Sequence, residues 1–127
     1  MVHLKQYVDM KIQLKTTQYT ITPEVRHYLD KRLEAIEKFL DESEGEAICD
    51  VELEHKYGQQ HGRVFRAEIN LNIHGAFFRV EEKAESMNAA IDAVHDEILR
   101  RLRKDKTKHR VRARRGGARL KKMLKEE

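Results

Sequence analysis

The residues best placed to do chemistry lie together at one end of the chain. From Arg100 to Glu127, fourteen Lys or Arg stand against three acids (Asp105, Glu126 and Glu127), a net charge of +11. The run RRLRKDKTKHRVRARRGGARLKK carries most of it. Residues 1–99 hold twelve Lys or Arg against nineteen acids, a net −7, so the overall +4 joins an acidic body to a basic end. A solvated surface helix usually mixes its signs. Cations this crowded repel one another unless a polyanion neutralises them, and the commonest cellular polyanion is nucleic acid. The plain alternative is a disordered, solubilising tail.

Other constellations are weaker. Among the seven histidines (His3, His27, His55, His61, His74, His95 and His109), none pairs with another at a three- or four-residue helical spacing. His55 and His61 flank a glycine loop and could meet across it, but no metal or other cofactor is expected. Cys49, the one cysteine, forms no internal disulfide and alternates with apolar neighbours, as a packed core thiol would. Ser43 and Ser86 lack the G-x-S-x-G context of an exposed nucleophile. Gly116-Gly117 is followed by Ala118, so a Gly-Gly-Gln motif is absent, and no G-x-x-x-x-G-K-[ST] phosphate loop occurs. No catalytic residue is assigned, and an enzyme is not expected.

The elements that must position the basic run are legible from their periodicity. Residues from Met10 to Thr17 alternate, with Met10, Ile12 and Leu14 on one face. Thr22-Pro23-Glu24 is a helix start: Thr22 caps free N–H groups, Pro23 loses no bond at the first position, and Glu24 suits the positive end of the dipole. Val25, Leu29, Leu33, Ile36 and Leu40 then form one apolar stripe, widened by Tyr28 and Phe39 and stopped near Gly45. Three strands follow. Ala47, Cys49, Val51 and Leu53 alternate with polar residues, and after a loop over residues 57–62 so do Phe65, Ala67, Ile69, Leu71 and Ile73. His74-Gly75 reads as a tight hairpin leading into a strand from Ala76 to about Glu82. Ser86 caps a last helix with Met87, Ala90, Ile91, Val94, Ile98 and Leu102 as its stripe, its outer face turning from acidic (Asp92, Asp96, Glu97) to basic at Arg100. Beyond Lys106 apolar periodicity lapses until Leu120, and Gly116-Gly117 is expected to interrupt the helix, leaving a tail disordered until bound. The order gives an α+β fold, β-α-β-β-β-α, a four-stranded sheet with two helices packed on one face.

The stretches ITPEVRHYLDKRLEAIEKFL, FRAEINLNI and ESMNAAIDAVHDEILRRLRKDKTKHR, in that order, resemble the ribosome hibernation-promoting factors. That family includes ribosome-associated inhibitor A and proteins once labelled sigma-54 modulation proteins. The resemblance covers nearly all of residues 10 to 110 and is similar to the short form. It implies a fold akin to double-stranded RNA-binding domains. It also implies binding to ribosomal RNA of the small subunit, in the channel where tRNA and mRNA sit, so that translation is inhibited in dormancy or stress by steric occlusion. The RNA-contacting positions of the family's second helix correspond here to Arg100, Arg101, Lys104 and Lys108, with Lys83 just before the helix. Arg103, Lys106, Arg110 and Arg112 add to them from the same run. Ser86 and Asn88 stand where the family commonly has an acid and a Tyr. Glu97 stands where a Lys is frequent, which weakens the first basic turn and shifts weight to Arg103 and the tail.

Residues 1–108 are therefore expected to form a ribosome-binding domain and residues 109–127 a basic, flexible tail. The seventeen residues after Arg110 are too few for the dimerisation domain of long members, so a monomer is expected. No apolar run approaches the ~18 residues of a membrane span, and the N-terminal MVHLKQYVDMKIQLK is too charged for a signal peptide, so a cytoplasmic protein is expected. A general double-stranded RNA-binding protein is the second reading, but Glu81, Glu82 and Glu85 crowd the place where phosphates would lie. An enzyme acting on tRNA or ribosomal RNA ranks third.

Overall fold

The computed structural model describes residues 10–40, 46–56, 64–73 and 75–126, with side chains as far as Lys106. Its elements follow the expected order: β1 (Met10–Thr17), α1 (Pro23–Phe39), β2 (Ala47–His55), β3 (Phe65–Ile73), β4 (Ala76–Ala84) and α2 (Met87–Glu126). The sheet runs β1-β2-β3-β4. β1 and β2 are parallel, which requires a crossover, and α1 supplies it. β3 and β4 are antiparallel neighbours whose register places Ile73 opposite Ala76, with Gly75 at φ +78° in the turn between them. A positive φ costs glycine nothing, because it has no Cβ to clash.

Both helix starts are built as their residues dictate. The Thr22 hydroxyl accepts from the Val25 N–H at 3.3 Å, with Pro23 opening α1. The Ser86 hydroxyl accepts from the Ala89 N–H at 3.1 Å. α1 ends at Phe39, where Leu40 turns to extended backbone and stays buried; Gly45 lies outside the described residues. Leu29, Leu33, Ile36 and Leu40 then meet Ala47, Cys49, Val51 and Leu53 of β2, Ala67, Ile69 and Leu71 of β3, and Ile91, Val94 and Ile98 of α2 in one core. Each large aliphatic side chain buried there contributes about 1.5–3 kcal/mol. Cys49 is fully enclosed; burial, helped by the charge of Asp50, pushes its thiol up to about 12, so it is an inert part of that core.

A polar knot ties the two helices. Tyr28 donates its hydroxyl proton to Asp92 at 2.5 Å, and Arg32 donates to the Tyr28 oxygen at 2.9 Å while pairing with Asp92 at 2.9 Å. Because Asp92 is an early residue of α2, the knot helps to fix where the rest of that helix points.

Two expectations need correcting. Ile12 shares the core-side register of Cys49, but it is 42% exposed. β1 is an edge strand, and on this packed face the helices concentrate away from it, α2 on β3 and β4 and α1 on α2. Second, no break occurs at Gly116-Gly117, because α2 is a single helix of 40 residues, about 60 Å long at 1.5 Å per residue. The loss of an apolar stripe does not by itself forbid a helix. Lys, Arg, Ala and Leu are strong helix formers, and two glycines weaken such a stretch by about 1 kcal/mol each without forbidding it.

Candidate nucleic-acid interface

The stripe of α2 holds this helix to the sheet as far as Leu102, the last buried side chain among the described residues. Met87, Ala90, Ile91, Val94, Ile98 and Leu102 are all buried as the spacing demands, joined by His95 and Leu99. The other sides of the helix are left to polar groups. At Arg100, Arg101, Arg103 and Lys104 they become basic and exposed. The helix dipole cannot explain these cations. Its field is confined to the last turn, whereas α2 continues to Glu126.

The basic side chains fall into small groups. Arg100 donates from Nε and Nη2 to the two Glu97 carboxylate oxygens at 2.9 and 2.6 Å, and Arg101 donates from Nε to the same carboxylate at 3.0 Å. Hydrogen bonds from Arg100 first, and then from Arg101, hold the Glu97 carboxyl down at about 2. The same bonding raises Arg100 above the ordinary arginine range. Arg101 also reaches the β4 backbone, donating from Nη1 to the Arg79 carbonyl at 2.8 Å. On the α1 side, the Arg103 guanidinium lies 6.0 Å and the Lys106 ammonium 5.1 Å from the ring centre of Phe39. Such cation–π contacts help to fix the two side chains against α1. Lys104 is exposed.

The remaining sequence-predicted positions stand apart from this cluster. Lys83 is exposed on the open face of the sheet, in register with Arg66 and on the opposite side from the packed helices. Lys108, Arg110 and Arg112 lie in the continuation of α2, and their side chains are outside the described residues. His61 is also outside them, while His55 stacks on Phe65 with ring centres 4.7 Å apart.

Sequence reasoning missed the organisation of the open face. Glu52, Glu68 and Glu81 stand directly opposite one another on β2, β3 and β4, an arrangement that repulsion would normally forbid. Arg66, one row along, reaches over them. It bonds Glu52 at 3.0 Å, Glu54 at 3.3 Å, Glu81 at 3.1 Å and Glu68 by a short contact, and its side chain is only 11% exposed. Burial works against the Arg66 charge, but the bonds it donates to Glu52 and Glu81 outweigh it and raise its pKa. Glu52 is held below the usual carboxylate range, first by the Thr17 hydroxyl and then by Arg66. Arg79 pairs with Glu68 at 2.8 Å and Lys15 with Glu52 at 3.9 Å. The central acids of this face are thus answered by cations of the chain itself, and the face offers little to a phosphate.

Residues 3–110 match the family described as sigma 54 modulation protein / S30EA ribosomal protein. The chain is 29% identical over 97 residues to a ribosome hibernation promotion factor of Deinococcus radiodurans, covering 76% of this chain and 49% of that protein. It is 28% identical over 100 residues to one from a Picosynechococcus species, covering 79% and 51%. The chain therefore spans about half the length of these curated relatives. Among solved structures, the N-terminal domain of Thermus thermophilus Protein Y aligns with TM-score 0.60 at 28% identity, over 75% of this chain and 98% of that one. A ribosomal subunit interface protein from Coxiella burnetii aligns with TM-score 0.60 at 17% identity, over 77% and 99%, a likeness of fold.

Proposed function

Because the chain belongs to the sigma 54 modulation protein / S30EA ribosomal protein family, we propose that it is a non-catalytic ribosome hibernation factor. In this reading it lies on ribosomal RNA of the small subunit, within the channel used by tRNA and mRNA, and inhibits translation by occupying that space. The observation that carries the reading is the exposed basic turn of α2, with Arg100, Arg101, Arg103 and Lys104 on a helix whose first turns are locked into the core. Contacts from such residues to phosphate fix position without reading sequence, so specificity comes from the fit of the rigid body to its channel. Residues 1–108 act as the fitting body. Residues 109–127 add cations that displace counterions, while Lys83, on the open face of the sheet, stands outside this contact surface. The protein works in the cytoplasm, where its ribosomal partner is.

Two features favour this over a general duplex-RNA binder. The open sheet face is closed by its own ion pairs, and the acids Glu81, Glu82 and Glu85 stand around the entry to α2. Among the described residues no helix is long and apolar enough to cross a membrane. The test is binding to purified small subunits beside binding to plain duplex RNA at the same salt, with tRNA and mRNA as competitors. Tighter binding to the subunit, reduced by those competitors, is expected. Equal affinity for both RNAs, or binding that tRNA and mRNA leave untouched, would instead support the general binder.

A further inference from the structure

The acid at the head of the basic stretch is bonded more fully than a solvated side chain requires. Glu97 takes both forks of Arg100 and one of Arg101, and its side chain is 24% exposed against 59% and 45% for its two partners. We propose that Glu97 is an internal counter-ion that competes with RNA phosphate for Arg100 and Arg101, and so limits how readily this turn of α2 takes an arbitrary RNA. The inference rests on the reading of α2 given above.

The geometry supports competition in three ways. A carboxylate that receives two parallel N–H bonds from one guanidinium occupies the edge at which arginine holds a phosphate in the same bidentate manner. One carboxylate shared by two arginines also cuts the charge offered by that pair from two to one. A phosphate arriving nearby must either displace Glu97 or sit beside a like charge. Finally, the neighbouring acids are engaged elsewhere, Asp92 with Tyr28 and Arg32, and Asp96 with the His95 ring at 2.9 Å, so Glu97 is the acid that these two arginines meet.

The two arginines differ in what would hold them once Glu97 is gone. Arg101 keeps its bond to the Arg79 carbonyl at 2.8 Å and stays against β4. Arg100 has no second anchor among the described residues and would be released with its whole fork available. Most of any gain should therefore pass through Arg100.

The test uses the full chain and a plain RNA duplex, on which binding is electrostatic. Glu97→Gln is expected to tighten duplex binding about fivefold at moderate salt. The salt dependence should steepen by about 0.7–0.9 in log–log slope, the equivalent of one more phosphate neutralised. Glu97→Ala should shift binding in the same direction, and adding Arg100→Ala should abolish most of the gain. Melting curves of each variant establish that the fold is intact. Duplex binding that is unchanged or weaker in Glu97→Gln, while Arg100→Ala alone weakens it, would overturn the proposal and leave the α2 reading standing. Wild-type binding by Arg100→Ala would overturn both.

Discussion

Arginine meets carboxylate on both sides of this molecule, with opposite consequences. On the open face of the sheet, Arg66 is enclosed by Glu52, Glu54, Glu68 and Glu81, and Arg79 and Lys15 answer the same acids from outside. On α2, one carboxylate serves both Arg100 and Arg101, and Lys104 stands exposed beside them. The chemistry of the pairs is alike and the stoichiometry is reversed. Where acids outnumber the cation, the cluster closes on itself and holds strands together; where cations outnumber the acid, donors remain for a partner.

Substitutions can break this contrast, and the largest loss of stability should come from beneath both surfaces. Leu33 is 2% exposed at the middle of the α1 stripe, so Leu33→Ala should cost about 2–5 kcal/mol through lost burial and a cavity. Chemical unfolding measures this directly, and an unchanged midpoint would mean that α1 does not anchor the core. Next comes Arg66→Met, which leaves four carboxylates facing one another in a partly buried setting. A loss of about 3 kcal/mol is expected, with RNA binding of the folded protein unchanged. The matching change on the other side, Arg100→Met, removes an exposed cation and should leave the melting curve nearly unchanged, while weakening RNA binding. Equal stability losses at Arg66 and Arg100 would erase the distinction drawn here.

A smaller effect concerns acid. The folded-state pKa of Glu97 is depressed to about 2, so whatever its pairing contributes is fully present above the ordinary carboxylate range and is lost as pH falls through about 2. The Glu52 contribution has the same sign, since its pKa is also lowered. An NMR titration of the Glu97 carboxyl should therefore remain flat through pH 4 and move only near pH 2. A midpoint in the ordinary glutamate range would show that the carboxylate is not clamped by its arginines in solution.

How much of this was legible in the sequence follows from the range over which each signal acts. The caps at Thr22 and Ser86, the α1 stripe and the alternation of β2 are local patterns that the structure keeps, whereas the exposure of Ile12 follows from the edge position of β1, which its own residues do not encode. The Arg66 cage was not legible, because it depends on the register of β2, β3 and β4, which no single strand contains. Continuity of α2 was misread because periodicity reports what a helix packs against, and a helix of strong formers can run on where its apolar stripe ends. The Glu97 spacing to Arg100 and Arg101 was in plain view as a helical i, i+3 and i, i+4 pattern, but the convergence of both guanidiniums on one carboxylate required coordinates. The bond from Arg101 to the Arg79 carbonyl, 22 residues apart, left no trace in sequence at all.

The basic turn of α2 is either a contact surface or only a solvated one. The direct measurement is co-sedimentation with purified small subunits of a variant carrying Arg100→Glu, Arg101→Glu and Lys104→Glu, beside the wild-type chain and over a series of salt concentrations. These side chains are exposed, so the variant should melt within a few degrees of wild type. Its association with the subunit should nonetheless be largely lost, and any residual binding should show a salt slope shallower by about 2 to 3, from three phosphates no longer neutralised at about 0.7–0.9 each. A folded variant that sediments with the subunit at wild-type levels, and with the wild-type salt slope, would contradict the account.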